Sequence, residues 1–453
     1  SLGGAAGCGT AREQSAPERS ATSATGALAS GVPTTNAASI GNADGGPGDS
    51  ADAGDDGGMV DAGDDGGAAS ATPEPPLKKR TGELAHFYTA LDGLERRTRK
   101  EHVRILWLGD SHGQADFWSG KVRSALQKRF GNGGPGFVHI AFRGYRHDGV
   151  EVGVKDKWVM QPRGPATSVL TADGVFGLGG LLTSSKTPGA EASVEVMDAT
   201  LPKKLKWDLC YRLTKPNDSI TVSLPGLKAE TLRVAPGTPA DEHAPLQHAL
   251  FTTDVAVQVA SPKNKGVRLE VTPASGYPSF CGVTVETDPA EQPGVVLDTL
   301  GINGARYTTA LAWNEDAWVS EFMRRSPSLV IFEYGTNESG DVGVKAETYA
   351  DKIARMVARI RKKKPDTDCV VLAPTERADQ EERSARIRDI WRDAARANVC
   401  WFWDTVEVMG GKGGMRSWKA ASPPKGAKDG IHLTVRGYYE LGEKLGQDML
   451  RKY

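Results

Sequence analysis

Between residues 294 and 404 the chain alternates apolar runs with amphipathic stretches: GVVLDTLGINGA, NEDAWVSEFMRR, SLVIFEYGTNE, AETYADKIARMVARIRKK, DCVVLAPT, RSARIRDIWRDAARAN and VCWFWD. A short apolar run with no polar alternation reads as a strand buried on both faces. Amphipathic helices between such runs are what cover those faces. That order predicts an α/β domain in three layers, a parallel sheet with helices on both sides. A further run of this kind, VRILWLGD at 103–110, comes much earlier. It is followed by DFWSGKVRSALQKRFG, where Phe117, Val122, Leu126 and Phe130 share one helical face that stops at Gly131. Ahead of it, Leu84, Phe87, Leu91 and Leu94 recur at helical spacing. The α/β domain is therefore expected in two pieces, residues 81–145 and 295–453.

Residues 146–294 have another character. SITVSLPG, AVQVAS, GVRLEVTP and CGVTVET are short, β-branched and broken by Gly, Pro, Asn and Asp. They predict an all-β, jelly-roll-like insert that interrupts the parallel sheet. Residues 1–80 are rich in Ala, Gly, Ser, Thr, Pro and Asp, with DAGDDGG at 52–58 and again at 61–67. Such a segment buries too little apolar area to offset its ordering entropy, so a disordered acidic tether is expected there. Small residues running into Cys8 resemble the end of a bacterial lipoprotein signal, which would make Cys8 a lipid anchor.

With 56 basic against 57 acidic residues and no basic block interleaved with aromatics, no nucleic-acid partner is expected. No apolar run reaches eighteen residues, so no spanning helix is expected. Cys210, Cys281, Cys369 and Cys400 allow two disulfides or buried free thiols, and their spacings do not resemble a zinc site. No metal or cofactor is expected, and the protein is read as a monomer.

The chemistry centres on ILWLGDSHGQADFW, where Ser111 follows a strand and precedes a helix. A serine hydroxyl needs a general base and oxyanion donors to act as a nucleophile. AKDGIHLTVRGYYELGEKL supplies Asp429 and His432 three residues apart, just ahead of a helix. At that spacing one turn presents both, the carboxylate orienting the imidazole and the imidazole taking the serine proton. Asn337 in YGTNES and Gly304 in LGINGAR each follow an apolar run, and the carboxyl ends of strands are where open α/β sheets bind ligands. Asp110 reads as a brace for the turn, and His112 as a packing or substrate residue.

The blocks GDSH, GINGA, YGTNE and DGIHLT, in this order, resemble those of the SGNH, or GDSL, hydrolase superfamily. The resemblance implies an SGNH-type fold with Ser111 as nucleophile, His432 as base and Asp429 as its orienting acid. It also implies an oxyanion hole made by Ser111, Gly304 and Asn337. RFGNGGPGFV, LDTLGINGAR and the β insert are similar to bacterial peptidoglycan O-acetylesterases with an inserted carbohydrate-binding-module-like domain. This implies an extracytoplasmic esterase acting on acetylated cell-wall polysaccharide, peptidoglycan first among them, held to the envelope through Cys8. A polysaccharide O-acetyltransferase using the same site, and a non-catalytic tethered glycan-binding protein, are the alternatives. Trp158, Trp207, Tyr211, Tyr277 and Phe280 are the insert aromatics available for stacking on sugar.

Overall fold

The computed structural model describes residues 80–161, 173–187, 189–197, 204–224, 226–254 and 266–453. The tether, the aspartate repeats, Cys8 and the AVQVAS stretch lie outside them.

A five-stranded parallel sheet forms the centre, in the order β13 (Val295–Gly301), β1 (Val103–Gly109), β14 (Leu329–Glu333), β15 (Asp368–Leu372) and β16 (Trp401–Trp403). The period-two alternation of β1 explains the two helical layers. Ile105 and Trp107 point into one core with α1 (Ala85–Glu95), α2 (Phe117–Phe130) and the C-terminal helix Val435–Lys452, through Phe87, Leu91, Val122, Leu441 and Leu445. Leu106 and Leu108 point into the other, with Trp318 and Phe322 of α3 (Glu315–Arg325), Ile353 and Met356 of α4 (Lys352–Arg361) and Trp391 of α5 (Glu381–Ala397). The cap of α3 is legible in its sequence. Asn314 Oδ1 accepts from the Ala317 N–H at 3.0 Å, with Glu315 and Asp316 in the first turn and Arg324 and Arg325 in the last.

The insert is a sandwich of two sheets. One runs β10 (Gln247–Asp254), β7 (Lys204–Arg212), β12 (Ser279–Thr287), β5 (Leu182–Ser184) and β4 (Val159–Gln161). The other runs β3 (Val150–Lys155), β6 (Glu191–Val196), β11 (Val267–Ser275), β8 (Ser219–Ser223) and β9 (Glu230–Arg233). Val194, Val222, Leu269 and Val283 fill the space between them with Trp207 and Phe280. Both of those aromatics are 1% exposed, so they are core and cannot stack on glycan. Trp158, Tyr211 and Tyr277 are half-buried. β2 (Gly136–Val138) pairs with β12, so the insert's sheet recruits a strand upstream of residue 146. The cysteines form Cys210–Cys281, across paired β7 and β12, and Cys369–Cys400, at the starts of β15 and β16.

Ion pairs join the insert to the parallel sheet. Arg325, at the end of α3, is buried and donates to both Asp298 in β13 and Glu286 in β12, and Arg104 of β1 donates to the same Glu286 at 2.7 and 2.8 Å. His248 of β10 lies between Asp208 of β7 at 2.7 Å and Glu321 of α3 at 3.0 Å, and Arg324 reaches Asp208 at 2.7 Å. Among the described residues, no helix is long and apolar enough to cross a membrane.

Candidate active site

Register brings the site together. Gly109 pairs with Gly301 on one side and with Glu333 on the other, so β13, β1 and β14 end level. The next residues of each strand are Asp110 and Ser111, the turn containing Gly304, and the turn leading to Asn337. Gly304 adopts φ +76°, a left-handed conformation that favours glycine. Its carbonyl accepts from Arg306 Nη1 at 2.9 Å, and Arg306 is paired with Asp341 through two hydrogen bonds of 2.7 and 2.6 Å. One salt-bridged arginine thus ties the Gly304 turn to the segment that carries Asn337.

The loop before the C-terminal helix delivers the remaining two groups. Thr434 caps that helix, its Oγ1 accepting from the Gly437 N–H at 3.3 Å. The preceding turn is fixed by the Ala427 N–H donating to the His432 carbonyl at 2.8 Å and the Ala378 N–H donating to the Gly430 carbonyl at 2.9 Å. His432 Nε2 lies 2.8 Å from Ser111 Oγ, and His432 Nδ1 lies 2.7 Å from Asp429 Oδ2. Asp429 Oδ1 accepts the backbone N–H groups of Ile431 at 2.9 Å and His432 at 3.0 Å. Burial pushes the Asp429 carboxyl up, but the His432 ring and those two N–H groups outweigh it and bring it down to about 2. The carboxylate is therefore ionised at neutral pH, and Nδ1 carries the proton. That tautomer leaves Nε2 free to accept from Ser111.

All five residues singled out from the sequence converge on this edge. Asn337 Nδ2 donates to the Ala305 carbonyl at 3.0 Å and approaches Asp110 Oδ2 at 3.2 Å, so it sits between the Gly304 turn and the residue preceding Ser111. Asp110 is wholly buried and its Oδ1 accepts the His112 N–H at 3.0 Å. His112 is 1% exposed, too buried to meet a substrate. Its ring stacks on His432 at 5.2 Å and is held by Thr375 Oγ1 at 3.2 Å and Tyr438 OH at 3.1 Å. Burial drives its imidazole down to about 3, with His432 next in effect, so a neutral ring backs the base. Glu333, Thr375, Tyr438 and Arg306 carried no signal in the sequence, because only strand register and loop contacts bring them here.

One group elsewhere resembles a metal site. Cys210, His248 and Glu321 lie within 4.8 Å of one another. The Cys210 sulfur is bonded to Cys281 and both His248 nitrogens face carboxylates, so the group is an ion-pair junction.

A serine, histidine and aspartate in hydrogen-bonded sequence at the carboxyl edge of a parallel sheet define a serine esterase of the SGNH type. Residues 266–439 match the GDSL-like lipase/acylhydrolase family. The match begins within the insert and omits β1, which the fold returns to the same sheet. Among solved structures, a peptidoglycan O-acetylesterase aligns at 22% identity over 83% of this chain and 98% of its own, with a TM-score of 0.65. The fold, insert included, is therefore shared. An acetyl xylan esterase aligns at 16% identity over 35% of this chain and 83% of its own, with a TM-score of 0.28. A family two carbohydrate esterase from Cellvibrio japonicus aligns at 10% over 67% and 98%, with a TM-score of 0.27. No curated protein matches the chain.

Proposed function

We propose that the protein is an extracytoplasmic carbohydrate esterase that removes O-acetyl groups from cell-wall polysaccharide, with peptidoglycan as the preferred substrate. The observation that carries the reading is the chain from Ser111 Oγ to His432 Nε2 at 2.8 Å and from His432 Nδ1 to Asp429 at 2.7 Å. Ser111 attacks the acetyl carbonyl while His432 Nε2 takes its proton. The Ser111 and Gly304 N–H groups and the Asn337 amide receive the developing oxyanion. His432 then protonates the departing sugar oxygen, leaving acetyl-Ser111. Water, deprotonated by His432, attacks this ester and releases acetate and free Ser111.

Two disulfides support an oxidising compartment, in keeping with anchoring through Cys8. The shared fold with a peptidoglycan O-acetylesterase, insert included, supports a polymeric glycan. The test is Ser111→Ala. Hydrolysis of a chromogenic acetate ester and acetate release from O-acetylated peptidoglycan should both disappear while the thermal melt is unchanged. Full activity in that variant would sink the assignment. Running the wild type with an acceptor sugar separates hydrolysis from transfer, since an acetylated acceptor in place of free acetate would make it a transferase.

A further inference from the structure

Two acidic side chains share a buried space beneath the Ser111 turn. Asp110 is wholly buried, and Glu333, the last residue of β14, is 5% exposed. The Glu333 carboxyl fills the volume that side chains at 109 and 113 would occupy. A Cβ on Gly109 would lie 2.3 Å from Glu333 Oε2, and one on Gly113 would lie 2.8 Å from it. Glu333 Oε2 accepts the Asp110 N–H at 3.1 Å, which sets the two carboxyls side by side in this space. Two carboxyls side by side in a buried space cannot both ionise without strong repulsion, so one of them keeps a proton.

Both Asp110 oxygens already face donors, the His112 N–H and the Asn337 amide. Glu333 likewise accepts the Asp110 N–H and faces that of Gly113, so its burial beside the Asp110 charge, not the donors, favours the proton on Glu333. Burial raises both acids above the usual carboxylate range, and the neighbouring Asp110 raises Glu333 further.

The Asn337 amide has two hydrogens. One goes to the Ala305 carbonyl at 3.0 Å, and the other faces Asp110 at a longer 3.2 Å. An oxyanion forming at Ser111 must compete with Asp110 for that second hydrogen, and a full charge on Asp110 would win it and repel the oxyanion. We propose that Glu333 is a positioning residue of the oxyanion hole: as a neutral acid it donates to Asp110, draws charge away from Asn337, and leaves the second amide hydrogen available to the transition state. The proposal rests on the roles given above to Ser111 and Asn337.

The experiment measures kcat and KM for a chromogenic acetate ester, with a thermal melt, on the full chain. Glu333→Met fills the same space without a proton donor. Its kcat should fall about a hundredfold with KM nearly unchanged, the loss expected when one oxyanion donor is disabled. Glu333→Gln offers an N–H to Asp110 and a carbonyl to the Asp110 N–H, so it should restore most of that activity across about pH 6 to 9, where glutamine cannot ionise. A folded Met variant with wild-type kcat would overturn the proposal, and so would a folded Gln variant as poor as Asn337→Ala. Should the Met variant fail to fold, the Gln result decides alone. A Ser111→Ala protein that stays active would instead overturn the assignment of the site, which is a separate failure.

Discussion

Replacing Asp429 by asparagine should do more damage than deleting its side chain. Asp429 Oδ1 is held by two backbone N–H groups, and Oδ2 faces His432 Nδ1. An asparagine keeps its oxygen on the two N–H groups and therefore turns its NH2 toward Nδ1. The imidazole must then move its proton to Nε2, which can no longer accept from Ser111. Rotating the amide to rescue the tautomer would set an NH2 against two N–H donors, costing at least about 1 kcal/mol each. About 2 kcal/mol is roughly a thirtyfold bias toward the wrong tautomer. In Asp429→Ala the ring is unguided but free to adopt the useful tautomer. The loss there is one charge-assisted hydrogen bond, about 1.5 to 3 kcal/mol, or roughly ten- to a hundredfold in kcat. The low end is favoured because the Asp429 side chain is 45% exposed and its charge is screened. Asp429→Asn combines both losses, about a few hundredfold to a few thousandfold, and stays below the roughly ten-thousandfold effect of a wrong tautomer in a serine triad. The assay is kcat on a small acetate ester near pH 8 for both variants at equal thermal stability. An Asp429→Asn enzyme as active as Asp429→Ala, or more so, would refute the reasoning.

Asn337→Ala should lower kcat by about a hundredfold to a thousandfold, some 3 to 4 kcal/mol, with KM little changed. A change confined to KM would make the residue a substrate contact. At the insert junction, burial pulls the His248 imidazole down, but its bonds to Asp208 and Glu321 outweigh that and raise it to about 9. Its stabilisation is thus complete below the ordinary histidine value and disappears as pH rises through about 9, at most about 3 kcal/mol. The thermal midpoint should fall between pH 7 and pH 10, and His248→Gln should flatten that fall; parallel curves would discount the junction. Trp158→Ala and Tyr277→Ala should reduce kcat/KM on polymeric acetylated glycan and spare a small acetate ester. Equal losses on both substrates would leave these aromatics a purely structural part.

The parallel sheet was legible because its strands are buried on both faces and leave unbroken apolar runs such as ILWL and LVIF. The catalytic turns were legible because small polar residues follow those runs directly. Contacts set by register rather than by chain neighbours were not. Glu333 reads as the polar end of a strand until Gly109 is found opposite it. Cys210 and Cys281 are 71 residues apart, and only the pairing of β7 with β12 joins them. Among the insert aromatics, sequence could not sort Trp207 and Phe280, which point between the sheets, from Trp158 and Tyr277. Alternation marks the two faces of a strand without saying which one is covered.

One buried carboxylate, Asp116, at the start of α2, joins the nucleophile turn to the insert. Its φ of +53° is unusual for a residue with a side chain, a strain tolerated only where surrounding contacts fix it. Those contacts come from three parts of the chain. Arg123 and Ser119 donate from α2, Thr299 from β13, and the Asp148 N–H from the first residues of the insert. The stretch from Ser111 to Asp116 has β1 at one end and this junction at the other. The insert therefore does more than occupy a loop, because the turn that leads into its first strand supplies one of the donors that hold the far end of the nucleophile turn. Arg325 makes the matching connection at the exit, bridging β12 and β13. A sandwich fixed at both chain junctions has a defined orientation on the parallel sheet, which under the proposed function would suit a polymer presented at a set angle better than a module that swings on one linker.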